Sequence, residues 1–347
     1  MKFEAVPKET IYLDPRDNLA RKSIASQVRR DPLTGKTARI RTSMTLKWVK
    51  PDFDKLVGGT EKTCPFCPDK VLKVTPSFPE DLFPEGRLVS GDLVLFPNLA
   101  PYDGLSAVVT LGGQHFVPMT EFGPTRLVQG FSLALDYFRR LQALGHPESV
   151  YHLITWNYMP PAGSSIIHPH LQVFATSTPP NLMREELEAA KIYWEKTGTN
   201  YWDDLVKAET ELGERFIGAI GRTAWLAAYA PQGVAGDVLA VVPGVRTTLE
   251  LTDRDLFDLA DGLTRSMKCF DRIGLFSFNA GFFTGAAGDD HARFHVLLSP
   301  RSYFNQALGA SDVAALRGLY QEGICLSVPE DLTKTLQNEF QVPAGGA

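Results

Sequence analysis

Residues 150–176 read VYHLITWNYMPPAGSSIIHPHLQVFAT, and their succession of strand, small-residue loop and strand decides how the rest of the chain is read. Val150 to Asn157 reads as a β-strand, PPAGSS as a tight loop, and His168 to Ala175 returns to a period of two. Successive side chains of a strand point to opposite faces, so His168, His170 and Gln172 share one face. Pro169 stiffens the backbone between the two histidines. Gly163, Ser164 and Ser165 are small or hydroxylated and let backbone N–H groups approach a phosphate. A neutral imidazole attacks phosphorus readily and its phosphoramidate remains labile, which makes His170 a candidate nucleophile. A pair of structural histidines is the plainer alternative.

Outward from this stretch, LVLFPN (93–98) and LSAVVTLG (105–112) read as two strands separated by the turn APYDG, and RLVQGFSLALDYFRRLQAL (126–144) has helical spacing. Further upstream, DPLTG (31–35) marks a turn before an alternating segment from Thr37 to Trp48. Pro51 to Gly91 shows little periodicity and reads as a long ordered loop that a metal would organise. Downstream, residues 182–220 look mainly helical. The series then returns as the strands AWLAAYAP and DVLAVVPG, the helix DRDLFDLADGLTRSMKCF, and the segments GLFSFNAG and RFHVLLSP. Asn157 to His170 and Asn279 to His295 recur with similar spacing. The expected fold class is therefore α+β: two tandem units with mainly antiparallel sheets and helices packed outside, divided as residues 1–180 and 181–347.

The 347 residues are 44% hydrophobic and 22% charged, enough to bury a sizeable core. A net charge of -5 argues against a sequence-independent nucleic-acid binder, which needs a basic surface. The start lacks a positive segment followed by a long apolar run, and no stretch is long enough to span a membrane, so a cytoplasmic protein with neither nucleic acid nor membrane as partner is expected.

Cys64 and Cys67 form a C-x-x-C pair, whereas Cys269 and Cys325 stand alone in apolar segments that read as helical, a pattern unlike a disulfide framework. With His115 and His168 the pair supplies two thiolates and two imidazoles, a set suited to tetrahedral zinc. Taken alone, C-x-x-C is equally compatible with a redox pair or an incidental turn.

The landmarks DPLTG, C-P-F-C (64–67), F-P-N (96–98), the isolated His115, Asn157 with Gly163 and Ser164, and HPHLQ (168–172) occur in an order that resembles the galactose-1-phosphate uridylyltransferase family of the histidine-triad superfamily. The resemblance implies Zn2+ on Cys64, Cys67, His115 and His168, with His170 as the nucleotidylated nucleophile. It also implies phosphate contacts at Asn157, Gly163, Ser164 and Gln172, and places Asn98 in the segment lining the nucleotide pocket. The implied substrates are a nucleotide sugar (by default UDP-glucose) and a sugar 1-phosphate (by default galactose 1-phosphate). The implied assembly is a homodimer. Gln172, where related hydrolases carry a third histidine, favours transfer over hydrolysis by the same analogy.

The second half departs from that pattern. Glu185 or Glu186 and His295 remain of a second metal site, but Arg293 stands where a histidine is expected, and no iron is expected there. Arg293 either replaces the metal's positive charge by pairing with the glutamate or is a surface arginine on a strand. Arg39, Arg41 and Lys47 are only approximate substitutes for phosphate-binding arginines. The stretch after Ser299 lacks the family's hexose-grasping lysine and Gly-Tyr-Glu pattern, which brings in a phosphorylase that uses inorganic phosphate on ADP-glucose or a dinucleoside polyphosphate. A zinc-stabilised nucleotide-binding protein without turnover and a thiol redox protein using Cys64 and Cys67 are the remaining alternatives.

Overall fold

The computed structural model describes residues 1–42 and 47–341. Its first elements are a long hairpin, β1 (Glu4–Asp14) and β2 (Ala20–Arg30), followed by β3 (Thr37–Arg41). Two short helices, α1 (Phe53–Val57) and α2 (Val71–Val74), interrupt the segment that holds Cys64 and Cys67. Then come β4 (Leu88–Ser90), β5 (Leu93–Pro97), β6 (Leu105–Thr110), helix α3 (Pro124–Ala143), β7 (Tyr151–Tyr158) and β8 (His170–Thr176). Helices α4 (Asn181–Thr197) and α5 (Tyr201–Leu212) lead into β9 (Phe216–Ile220), β10 (Thr223–Ala227), β11 (Val238–Val241), helix α6 (Asp253–Arg272), β12 (Ser277–Phe283) and β13 (His295–Arg301). The chain continues through β14 (Tyr303–Asn305), β15 (Ala310–Ser311), α7 (Ala315–Gly318), β16 (Gly323–Cys325) and α8 (Pro329–Phe340).

Ten strands form one antiparallel sheet in the order β4-β5-β6-β8-β7-β12-β13-β11-β10-β9. The order is a palindrome of two five-strand sets that meet where β7 pairs with β12. Thr155 opposite Gly281 lies at the centre, and equal steps outward give equivalent positions: Leu93–Pro97 corresponds to Thr223–Ala227, and His170 at the start of β8 to His295 at the start of β13. Helices α3 and α6, both 20 residues long, occupy corresponding places. The chain is thus α+β, with two tandem units of five strands and a long helix sharing one sheet.

One face of this sheet packs on α3, α6 and α8. Leu171, Val173, Ile154, Trp156, Phe278 and Phe282 belong to that core with Phe131, Leu135, Leu259 and Leu263 from the two long helices. Gly262 allows the approach, because a Cβ there would lie 2.1 Å from the Trp225 indole. The opposite face is covered from both sides toward the middle. The cysteine loop packs Phe66 and Val71 on Val94, Phe96 and Val108, and α5 packs Tyr201, Trp202 and Leu205 on Leu226 and Val241. Between them, Thr155, Asn157, Gln172, Phe174, Asn279, Gly281 and Phe283 stay half-exposed, forming an open strip along the middle of the sheet.

Several local expectations change. Residues 213–220 are not helical: Gly213 ends α5 in the left-handed conformation, and β9 follows. Cys325 lies in a strand, where β16 pairs parallel to β3, the one parallel pairing among the described residues. The strand expected from Thr37 to Trp48 ends at Arg41, and residues 43–46 fall outside the described residues. The β1–β2 hairpin was not foreseen, because its side chains are largely exposed and carry no apolar alternation. No helix of the described residues is long and apolar enough to cross a membrane.

Candidate functional site

His168 and His170 flank the beginning of β8, and their surroundings fix opposite uses of their two ring nitrogens. His168 Nε2 lies 2.7 Å from the Gly112 carbonyl, which can only accept, so Nε2 carries the proton and Nδ1 the lone pair. That lone pair faces Cys67 Sγ at 3.9 Å. His115 is set by the same logic through Thr60. The Thr60 hydroxyl donates to the Val57 carbonyl at 2.6 Å and therefore accepts from His115 Nε2 at 2.7 Å, leaving Nδ1 unprotonated 3.5 Å from Cys67 Sγ. One donor atom from each of Cys64, Cys67, His115 and His168 thus lies within 4.8 Å of the others.

This set fits a divalent metal. Burial lowers the His115 pKa and brings His168 down to about 4, so both rings are neutral ligands at pH 7. Burial, with Cys64 beside it, pushes the Cys67 thiol up to about 11 in the metal-free chain, and a divalent cation supplies the positive charge that thiolates need there. Thr60 and the Gly112 carbonyl orient the imidazoles from behind, a common arrangement in metal sites. Sequence reading missed both, since each lies far along the chain from the histidine it holds.

His170 uses its nitrogens the other way. Its Nδ1 lies 2.8 Å from the His168 carbonyl, so Nδ1 is protonated and Nε2 keeps a lone pair with no partner among the described residues. Burial lowers the pKa of the ring and keeps it neutral. Phe66 packs edge-on against it with centroids 5.1 Å apart. The histidine is thus oriented through the very residue whose side chain faces the cysteines.

The other candidates lie on the same strip. Gln172 is half-exposed and pairs across β7 with Thr155, a register that sets Asn157 alongside His170. Gly163 has φ +84°, and Met159, at φ +69° and buried, begins the loop in a conformation that non-glycine residues rarely adopt. The Ser164 hydroxyl donates to the Ile166 carbonyl at 2.7 Å, so its oxygen lone pairs, and not its proton, are left for a ligand. Asn98 follows β5; its N–H bonds to the Ser106 carbonyl at 2.9 Å, and its Oδ1 accepts from the Ala100 N–H at 3.0 Å. Ser106 lies opposite Phe174, so Asn98 is displaced along the strands from the Gln172 position.

The second half places its residues differently from expectation. Arg293 does not pair with a glutamate: its Nη2 donates to Asp203 of α5 at 2.7 Å. Glu185 is engaged by Lys36 at 2.8 Å, and it is Glu186 that faces His295 Nε2 at 3.4 Å. Asn279 is not the structural counterpart of Asn157, for the sheet register gives that place to Phe283. The DPLTG turn lies over the C-terminal set of strands: Leu33 packs with Tyr201, Trp202 and Leu226. Arg39 pairs with Glu322 at 3.2 Å, whereas Lys47 is exposed.

No family model matches the chain. An uncharacterized protein of Archaeoglobus fulgidus is 32% identical over 313 residues, covering 90% of this chain and 91% of that protein, which places the two in one family. A galactose-1-phosphate uridylyltransferase of Streptomyces lividans is 28% identical over 227 residues, 60% of this chain and 57% of its own length. Among solved structures, an ADP-glucose phosphorylase of Arabidopsis thaliana with bound ADP-glucose superposes with a TM-score of 0.68 at 18% identity, over 92% of this chain and 99% of that one. At that identity the likeness establishes a shared fold.

Proposed function

We propose that this chain is a divergent member of the galactose-1-phosphate uridylyltransferase family and that it transfers a nucleoside monophosphate by way of a covalent intermediate on His170. The observation that carries the reading is the tautomer of His170: with Nδ1–H held by the His168 carbonyl, the free Nε2 lone pair borders a half-exposed strip that also holds Asn157 and Gln172. In the first step Nε2 attacks the α-phosphorus of a nucleoside diphosphate sugar. The P–N bond forms, the bridging P–O bond breaks, and sugar 1-phosphate leaves with the bonding electrons. In the second step a phosphate oxygen of the acceptor attacks the same phosphorus and releases His170. Amide hydrogens of Asn157 and Gln172, with the backbone N–H of Ser164, would meet the charge on the non-bridging oxygens, while the Gly163 N–H is already held by the Pro160 carbonyl at 2.8 Å and shapes the loop. Asn98 belongs to the nucleotide pocket in this reading.

We assign Zn2+ to Cys64, Cys67, His115 and His168. When bound, the ion supplies structural charge compensation; the residues of the chain do the rest, since His168 ligates through Nδ1 while its carbonyl holds His170 in register. A homodimer that completes the open strip is part of the proposal. The default exchange is UDP-glucose with galactose 1-phosphate. A second reading has inorganic phosphate as acceptor and ADP-glucose as donor, and the missing hexose-grasping pattern after Ser299 favours it.

Intact-mass measurement under mildly alkaline conditions, after incubation with UDP-glucose or ADP-glucose separately, tests the intermediate. The expected result is one nucleoside monophosphate added to the unaltered protein and none to His170→Ala. Release of the label by galactose 1-phosphate or by inorganic phosphate identifies the acceptor. The absence of any adduct overturns the reading.

A further inference from the structure

Asn279 lies on β12, directly across from Asn157 on β7, at the seam between the two sets of strands. Its Oδ1 accepts from Arg301 Nη1 at 3.1 Å, and its Nδ2 donates to Asn157 Oδ1 at 2.7 Å and to the Ala162 carbonyl at 2.8 Å. Arg301 is itself buried and tied by Nε to Asp312 at 2.8 Å. These partners leave the orientation of the Asn279 amide no freedom. A guanidinium can only donate, so it must meet the amide oxygen; a backbone carbonyl can only accept, so it must meet the amide nitrogen. Asn157 is then determined in turn, for its oxygen is occupied by Asn279 and its two Nδ2 hydrogens have no partner among the described residues. They are left to the open strip beside His170.

We infer that Asn279, locked by Arg301, is a positioning residue for the transfer at His170: it makes the Asn157 side chain a donor toward the phosphoryl oxygens and pins the carbonyl of Ala162 in the phosphate loop. This inference rests on the transfer reading above and extends it to two residues of the C-terminal half, neither of which touches the reacting atoms. A free asparagine could present either its oxygen or its nitrogen to a phosphate. An oxygen would repel the charge that phosphoryl transfer places on the non-bridging oxygens, whereas a fixed N–H donor needs no reorganisation when that charge develops.

Asn279→Asp tests the assignment. The substituted carboxylate keeps the Arg301 contact and the shape, but sets an acceptor against Asn157 Oδ1 and the Ala162 carbonyl. The rate of adduct formation, measured with whichever of UDP-glucose and ADP-glucose labels the unaltered chain, is expected to fall by about 10- to 100-fold. In an Asn157→Ala background the same change is expected to slow labelling by less than about 3-fold, since residues acting through one another are not additive. Asn279→Ala, which deletes all three bonds, provides the readout if the aspartate variant does not fold. Labelling of the folded variants at the unaltered rate overturns the inference while leaving the transfer reading intact. So does an equal slowing by Asn279→Asp with and without Asn157, because Asn279 would then not act through the Asn157 side chain. No label on the unaltered chain overturns the transfer reading and, with it, the role of Asn279.

Discussion

His170 and His295 occupy corresponding places in the two halves of one sheet, and each directs Nδ1 at the carbonyl two residues before it, at 2.8 Å and 3.1 Å. Their remaining nitrogens meet different fates. His170 Nε2 borders the open strip, whereas His295 Nε2 faces the Glu186 carboxylate at 3.4 Å. The His295 ring is also sandwiched by Trp202, with centroids 4.0 Å apart, and by Phe283 at 4.7 Å. Around them Gln172 is replaced by Leu297, Asn157 by Phe283 and His168 by Arg293. The backbone therefore supplies a tautomerically oriented histidine in both halves, and the neighbours decide whether it meets solvent or is enclosed. Helix α5 is the agent of the enclosure, since it brings Trp202 over His295 and gives Asp203 to Arg293.

The sharpest break of this pseudo-symmetry is expected from the histidines themselves. His170→Ala should lower turnover by at least about 10^4-fold, as loss of a covalent nucleophile does, while His295→Ala should leave kcat within a few-fold and lower thermal stability instead. Steady-state rates and melting curves on the two variants check this, and a large kcat loss in His295→Ala would contradict the assignment of chemistry to one half.

The metal cluster has no counterpart in the second set of strands among the described residues. Cys67→Ala should lose bound zinc by elemental analysis and destabilise the first half by several kcal/mol, because the remaining ligands cannot close a tetrahedral site. Zinc content unchanged by the substitution would remove these residues from the ligand set. A chelator should reproduce the loss in the unaltered chain, with hydrogen exchange rising first around residues 53–74.

Gln172→Leu transplants the residue of the second half into the first. The fold already accepts leucine at the corresponding position, so stability should be nearly unchanged, while kcat should drop by about 100-fold through the loss of one donor to the transferred group. A wild-type rate would show that Gln172 does not meet the phosphoryl oxygens.

The smallest effect separates α3 from α6. Helix α6 begins with a capping box in which Thr252 and Asp255 exchange hydrogen bonds, and Arg222 pairs with the same carboxylate at 2.6 Å; α3 begins at Gly123 with no side-chain cap. Burial opposes ionisation of Asp255, but the bonds from Arg222 and Thr252 prevail and lower its pKa to about 2. A carboxyl depressed below its unfolded value of about 3.9 stabilises the folded state fully above that pH, and the contribution disappears as pH falls toward 2. Because Arg222 is half exposed, about 1–2 kcal/mol is expected from this group. Asp255→Asn should accordingly be less stable at pH 7 and show a shallower loss between about pH 4 and pH 2, with the change in amide exchange confined to α6. An unaltered acid slope would show that Asp255 is not the group responsible.

Local pattern made much of this legible. The 3.6-residue apolar period of α3 and α6 and the pattern of β5 to β8 read correctly as helices and strands, and the four side chains expected to meet at Cys64, Cys67, His115 and His168 do lie together. The same method missed the β1–β2 hairpin, whose two strands bury little and so leave no apolar trace. It also matched Asn279 to Asn157 by spacing, an error that only strand register reveals, since Asn279 pairs with Asn157 across the seam and the equivalent place, beside His295, belongs to Phe283.

By itself, the sequence determined the kind of chemistry available: two thiols, two imidazoles and a third imidazole beside a small-residue loop, together with the repeated α+β pattern that builds a sheet. The tertiary structure alone decided how each nitrogen is used. Gly112 and Thr60 turn two lone pairs inward, the His168 carbonyl turns one outward, and Arg301 acts through Asn279 on Asn157. Hydrogen-bond direction depends on which donor or acceptor comes within about 3 Å, and most of those partners come from elsewhere in the chain.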